Sequence, residues 1–123
     1  MKLYLKIALI TFGLLLVLEN EQSQDLLKTN PTETQLLQDT AGVRVLLISV
    51  PPGGTLNNHT HIGFIAYIIE GGTLEETFPD GTKYNAELSM GMNMKSGPIG
   101  VHADKNIGNT TVKILLIELP QKM

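Results

Sequence analysis

The sequence contains no cysteine and no tryptophan. Without cysteine there is no disulfide framework, no thiolate nucleophile and no Cys-ligated zinc or iron–sulfur centre. Positive charge is scarce. Nine Lys and Arg stand against twelve Asp and Glu, for a formal net charge of −3, and Arg44 is the lone arginine. That balance lacks the basic footprint a nucleic-acid binder needs. No glycine-rich phosphate loop is visible, so no nucleotide cofactor is expected, and no nucleophile–base pair stands out. Histidine occurs only three times, at His59, His61 and His102. Any chemistry that needs imidazole, or a metal held by nitrogen, must use those three.

At 123 residues the chain suits one domain. Its one long apolar run, Ile7 to Leu18, follows Lys2 and Lys6 and ends at a polar stretch from Glu19 to Asp25. A positive start, an apolar run of this length and a polar exit make a secretory signal pattern. The run is short of the roughly 20 apolar residues that span a membrane. No Ala-x-Ala cleavage tripeptide follows it. Residues 1–23 are therefore expected to be a signal peptide or an uncleaved N-terminal anchor, with the protein exported to a periplasmic or extracellular space. No other membrane contact is expected. Residues 24–40 are polar, hold Pro31 and read as a lead-in arm.

From Val43 onward the chain reads as strands and turns. Val43–Val50 is β-branched and apolar, and Pro51-Pro52-Gly53-Gly54 stops it. Gly63–Ile69 is a second apolar strand. Thr73–Phe78 and Lys83–Leu88 flank Pro79-Asp80-Gly81, a hairpin turn signal. Thr110–Leu119 is the last strand. Six to eight short strands with glycine turns and no amphipathic helix point to an all-β antiparallel sandwich or small barrel over residues 41–120.

His59-Thr60-His61 carries the main chemical signal. Residues i and i+2 of a strand share a face, so the pair can offer two imidazoles to one ion. His102 follows 41 residues after His61, across a hairpin that would return it to the pair in a rolled sheet. Continuing the histidine parity would place Ile65, Tyr67 and Ile69 inward, unless a bulge at Gly63 reverses it. On that parity Ile65 and Tyr67 line a ligand pocket with Met92 and Met94. The alternating Met90, Met92 and Met94 read first as core filling. A Cu(I)-binding thioether row is the alternative. Glu75, Glu76 and Asp80 read as a solvated acidic hairpin.

Two stretches resemble the signatures of the cupin superfamily. The first is Gly53, five residues, His59-Thr60-His61, ten residues, Gly72. The second is Gly91, Pro98-Ile99-Gly100, His102 and Asn106, with the Pro-x-Gly one residue late. The resemblance implies a single cupin-type antiparallel β-barrel, a double-stranded β-helix or jelly-roll. It also implies a divalent metal on His59, His61 and His102, a small-molecule ligand and a homodimer. The family's glutamate ligand should fall at Ile65 or Ala66, and both are apolar. Three imidazoles without it suit Zn²⁺, Fe²⁺, Ni²⁺ or Cu²⁺ better than a hard ion such as Mn²⁺. Some cupin-like thiol dioxygenases also use three histidines. The resemblance leaves two functions open. One is a metal-dependent enzyme of oxygenase or other cupin type; the other is a small-molecule-binding or structural cupin without metal.

Overall fold

The computed structural model describes residues 24–120. The expected signal or anchor segment, residues 1–23, lies outside them. The described chain forms one short helix, α1 (Leu26–Thr29), and nine strands: β1 (Thr34–Thr40), β2 (Val43–Val50), β3 (Thr55–His61), β4 (Phe64–Glu70), β5 (Gly72–Thr77), β6 (Lys83–Leu88), β7 (Asn93–Ser96), β8 (Ile99–Asn106) and β9 (Val112–Glu118). They pair antiparallel into two sheets, ordered β1-β2-β9-β4-β7 and β3-β8-β5-β6.

The period of two explains which strands carry the core. In β2 the inward residues are Leu46, Ile48 and Val50, and in β9 they are Val112, Ile114 and Leu116, all buried. The β2–β9 register sets Leu46 against Leu116, Ile48 against Ile114 and Val50 against Val112. Ala66 and Ile68 of β4 continue the same rungs on the other side of β9. Leu56 and Leu74 answer from the second sheet. Each fully buried Leu, Ile or Val adds on the order of 1.5–3 kcal/mol of hydrophobic stabilisation.

The Asp80-Gly81 hairpin forms between β5 and β6 as the sequence predicts. Gly81 takes φ +87°, which only glycine adopts without strain. The Asp80 carboxylate accepts from the Thr82 amide at 2.9 Å.

Residues 24–40 are not a free lead-in arm. Thr34–Thr40 pairs with β2 as an edge strand, bent by a register shift between Leu36 and Gln38. The edge position leaves all of it exposed except Thr34, which is why the sequence there looks polar. Upstream, Asp25 caps α1 by accepting from the Lys28 amide. Leu26 is fully buried in the core. Arg44 binds both Asp25 and Glu118, tying this segment to β2 and β9. The domain therefore begins before residue 41.

The strand parity in β4 is also corrected. The chain breaks between His61 and Phe64, and the alternation restarts out of phase. Phe64, Ala66 and Ile68 point inward, whereas Ile65, Tyr67 and Ile69 face outward and are partly exposed.

Candidate metal centre

The three histidines come from β3, an edge strand of the four-stranded sheet, and from its neighbour β8. His59 on β3 lies directly opposite His102 on β8. His61, two residues on, keeps the same face. A register shift on each side of His59 lets β3 deliver both rings to one point. The ring centroids lie 4.4 Å apart for His59–His102, 4.7 Å for His59–His61 and 5.1 Å for His61–His102. One ligand nitrogen from each ring falls within 4.8 Å of the others. Phe64 flanks the His61 ring and Phe78 the His102 ring.

The segment before β1 braces this strand. The Thr60 amide donates to the Gln24 carbonyl at 2.8 Å. The Asn57 amide donates to Asn30 Oδ1 at 2.6 Å, and Asn30 Nδ2 donates back to the Asn57 carbonyl at 3.2 Å. His59 therefore sits between two backbone positions pinned from outside the sheet.

Backbone carbonyls set the ring tautomers. His59 Nδ1 lies 2.7 Å from the Asn57 carbonyl and His102 Nδ1 2.8 Å from the Gly100 carbonyl. A carbonyl accepts only, so each Nδ1 carries the hydrogen and each Nε2 presents a lone pair to the centre. His61 Nε2 is 3.2 Å from His59 Nε2, and His61 Nδ1 is buried with no partner among the described residues. Burial pushes the His59 ring down to about 4, against a smaller upward pull from the Asn57 carbonyl. Burial, then the neighbouring His59 and His102 rings, push His61 down to about 3. Both rings are neutral at neutral pH, the form that binds metal.

These residues fit a metal ion. Two nitrogens bound to one Zn²⁺ at about 2.0–2.1 Å stand roughly 3.0–3.4 Å apart. The His59–His61 Nε2 spacing already lies in that range.

Beside the histidines, the two sheets enclose a cavity of about 270 Å³. His61 and His102 form one wall, Met92 and Met94 another, and Ala66, Leu74 and Leu116 contribute apolar surface. His59 lies behind this lining, fully buried.

No protein-family model matches the chain, and no curated protein matches it. Solved structures do. A cupin domain from Bordetella pertussis is 22% identical, with a TM-score of 0.66, over 72% of this chain and 92% of that one. An RmlC-like cupin with a double-stranded β-helix fold, from Methanocaldococcus jannaschii, is 19% identical with a TM-score of 0.58, over 71% and 78% of the two chains. A cupin superfamily protein from Desulfitobacterium hafniense is 21% identical with a TM-score of 0.53, over 72% and 76%. The chain has the cupin fold.

In this cupin barrel the three expected ligands converge, and Met92 and Met94 line the cavity. Ile65 and Tyr67 do not, because the reset at Ile62-Gly63 turns them outward. Of the two positions expected for the family's glutamate, Ala66 is the inward one. Sequence reasoning missed two carboxylates on the cavity wall: Asp104 and Glu76. Asp104 is buried, with Oδ2 3.6 Å from His59 Nε2 and 3.7 Å from His102 Nε2. Burial, then the facing Glu76, push its carboxyl up to about 7. The signal was present, since His102 and Asp104 are an i, i+2 pair on one strand. Glu76, read as part of a solvated hairpin, sits across the β5–β8 rung from Asp104.

Asn106, in the second cupin-like signature, serves the scaffold. It is buried, and its Nδ2 donates to the Val50 and Thr110 carbonyls at 2.9 and 2.7 Å. Its Oδ1 accepts from the Gly108 amide at 3.0 Å.

Proposed function

We propose that this protein is a small exported cupin that binds one divalent transition metal through His59, His61 and His102 and takes a small organic ligand in the adjoining cavity. The convergence of three imidazoles on one point carries the reading. Zn²⁺, Fe²⁺, Ni²⁺ and Cu²⁺ are the candidate ions. Such an ion, when bound, supplies Lewis acidity and lowers the pKa of bound water to about 7.

The chain's own residues then define the ligand. His61 and His102 face the cavity, so the ligand meets the centre from that side. Met92, Met94, Leu74 and Leu116 favour apolar carbon. Glu76, in the same lining, disfavours an anion. The class that fits is a small, largely apolar molecule, neutral or cationic. Export rests on the pattern of residues 1–23.

Outside the barrel, Leu47, Leu115 and Tyr67 form one apolar cross-strand row and Val45, Ile117 and Ile65 the next. This row of partly exposed side chains supports the homodimer that the cupin resemblance implies.

The test is ligand-induced thermal stabilisation, measured with and without a chelator. Stabilisation lost on chelation supports a metal-dependent site. Stabilisation that survives chelation supports the alternative, a binding module without metal.

A further inference from the structure

A carboxylate lies beside the three histidines, contributed by a strand other than β4. We propose that Asp104 is the fourth protein ligand of the ion, in place of the glutamate that Ile65 and Ala66 do not supply. The proposal rests on the three-histidine reading above.

Three observations carry it. Asp104 lies two residues after His102 on β8, so the two side chains share a face. Its Oδ2 is almost equidistant from His59 Nε2 and His102 Nε2, at 3.6 and 3.7 Å. Among the described residues the carboxylate makes no hydrogen bond, although only 6% of the residue is exposed. A buried carboxylate without partners is costly.

The direction of the lone pairs gives the reason. His59 and His102 both donate from Nδ1 to backbone carbonyls, so their Nε2 atoms are acceptors. Asp104 Oδ2 is an acceptor as well. Three acceptors therefore face one another once Asp104 is ionised. A cation at their centre turns that repulsion into coordination. Ligand atoms sharing an ion at about 2.0–2.2 Å stand roughly 3.0–3.4 Å apart, so Oδ2 needs to close by a few tenths of an ångström on His59 and His102. The group already within 4.8 Å is His59, His61 and His102, so the carboxylate must also swing toward His61. The carboxylate offsets one unit of the ion's charge and adds a hard donor. A three-His, one-Asp set would hold Fe²⁺ and Mn²⁺ better than three imidazoles alone.

The test titrates the metal-free protein with Co²⁺, Mn²⁺ and Zn²⁺, comparing wild type with Asp104→Asn, Asp104→Ala and His59→Ala. Thermal unfolding checks that each variant folds. Asp104→Asn keeps the shape of the site and should fold even if Asp104→Ala does not. Wild type should bind one Co²⁺. Both Asp104 variants should weaken Co²⁺ binding at least tenfold, shift its visible absorption and lose more affinity for Mn²⁺ than for Zn²⁺. An unchanged Co²⁺ spectrum in both variants would overturn ligation by Asp104, even if affinity fell, because it would mark a positioning role. Failure of the wild type to bind any of the three ions would instead overturn the three-histidine reading, and this proposal with it.

Discussion

His59 and His102 face each other across one antiparallel rung of β3 and β8, with ring centroids 4.4 Å apart. Each ring is held by a carbonyl two residues earlier on its own strand. The centre is thus preorganised by backbone, and its affinity should depend on how firmly those two strands are held.

Bracing of β3 from the N-terminal side should therefore matter to the metal. Asn30→Ala removes both side-chain bonds to Asn57. It should cost about 1–3 kcal/mol in stability and also weaken metal binding, although Asn30 touches no histidine. Denaturant unfolding paired with a metal titration checks both effects.

Leu26→Ala tests whether residues before β1 belong to the domain. The side chain is fully buried in the core. Truncation should destabilise by about 2–5 kcal/mol. A loss below about 0.5 kcal/mol in chemical denaturation would mean that this segment does not pack as described.

Asn106→Leu deletes three hydrogen bonds and strands the buried Val50 carbonyl. A loss of about 2–4 kcal/mol is expected. Equilibrium unfolding in urea measures it. Metal stoichiometry in the folded fraction should stay the same, since Asn106 holds the end of β8 and does not face the ion.

The metal-free protein should lose stability on acidification. His59 and His61 have folded values of about 4 and 3, below the ordinary histidine value of about 6.5. Below about pH 6.5 the unfolded chain binds protons at these rings that the folded chain does not. Stability therefore rises with pH through that window and falls as pH drops from about 6.5 toward 4. Asp104, raised to about 7, acts in the opposite sense. Its folded form holds a proton from about pH 4 to 7 that the unfolded form releases. Two histidines outweigh one carboxyl, so the melting temperature should fall between pH 6.5 and 4. A His59→Ala, His61→Ala variant should abolish that fall and reverse the slope, since the Asp104 contribution remains.

Much of the fold was legible where one face of a strand is apolar and the other is not. Val43–Val50 and Lys83–Leu88 have the same limits in sequence and structure. The Asp80-Gly81 turn carries its own chemistry. β1 was not legible, because an edge strand needs few apolar residues. β3 and β8 are polar for the opposite reason: their inward faces build the site rather than the core. The three histidines were readable from spacing alone. The parity of β4 was readable only as an alternative, a reversal at Gly63, and the break at Ile62-Gly63 is where it resets. Asp104 escaped notice because the expected carboxylate position lies on β4. Only the β3–β8 pairing places a β8 side chain beside His59.

The most direct test is the metal content of untagged, mildly purified protein, measured by elemental mass spectrometry beside His59→Ala. About one transition-metal ion per wild-type chain, lost in the variant, is the expected result. Sub-stoichiometric metal that does not change with His59→Ala would contradict the three-histidine centre.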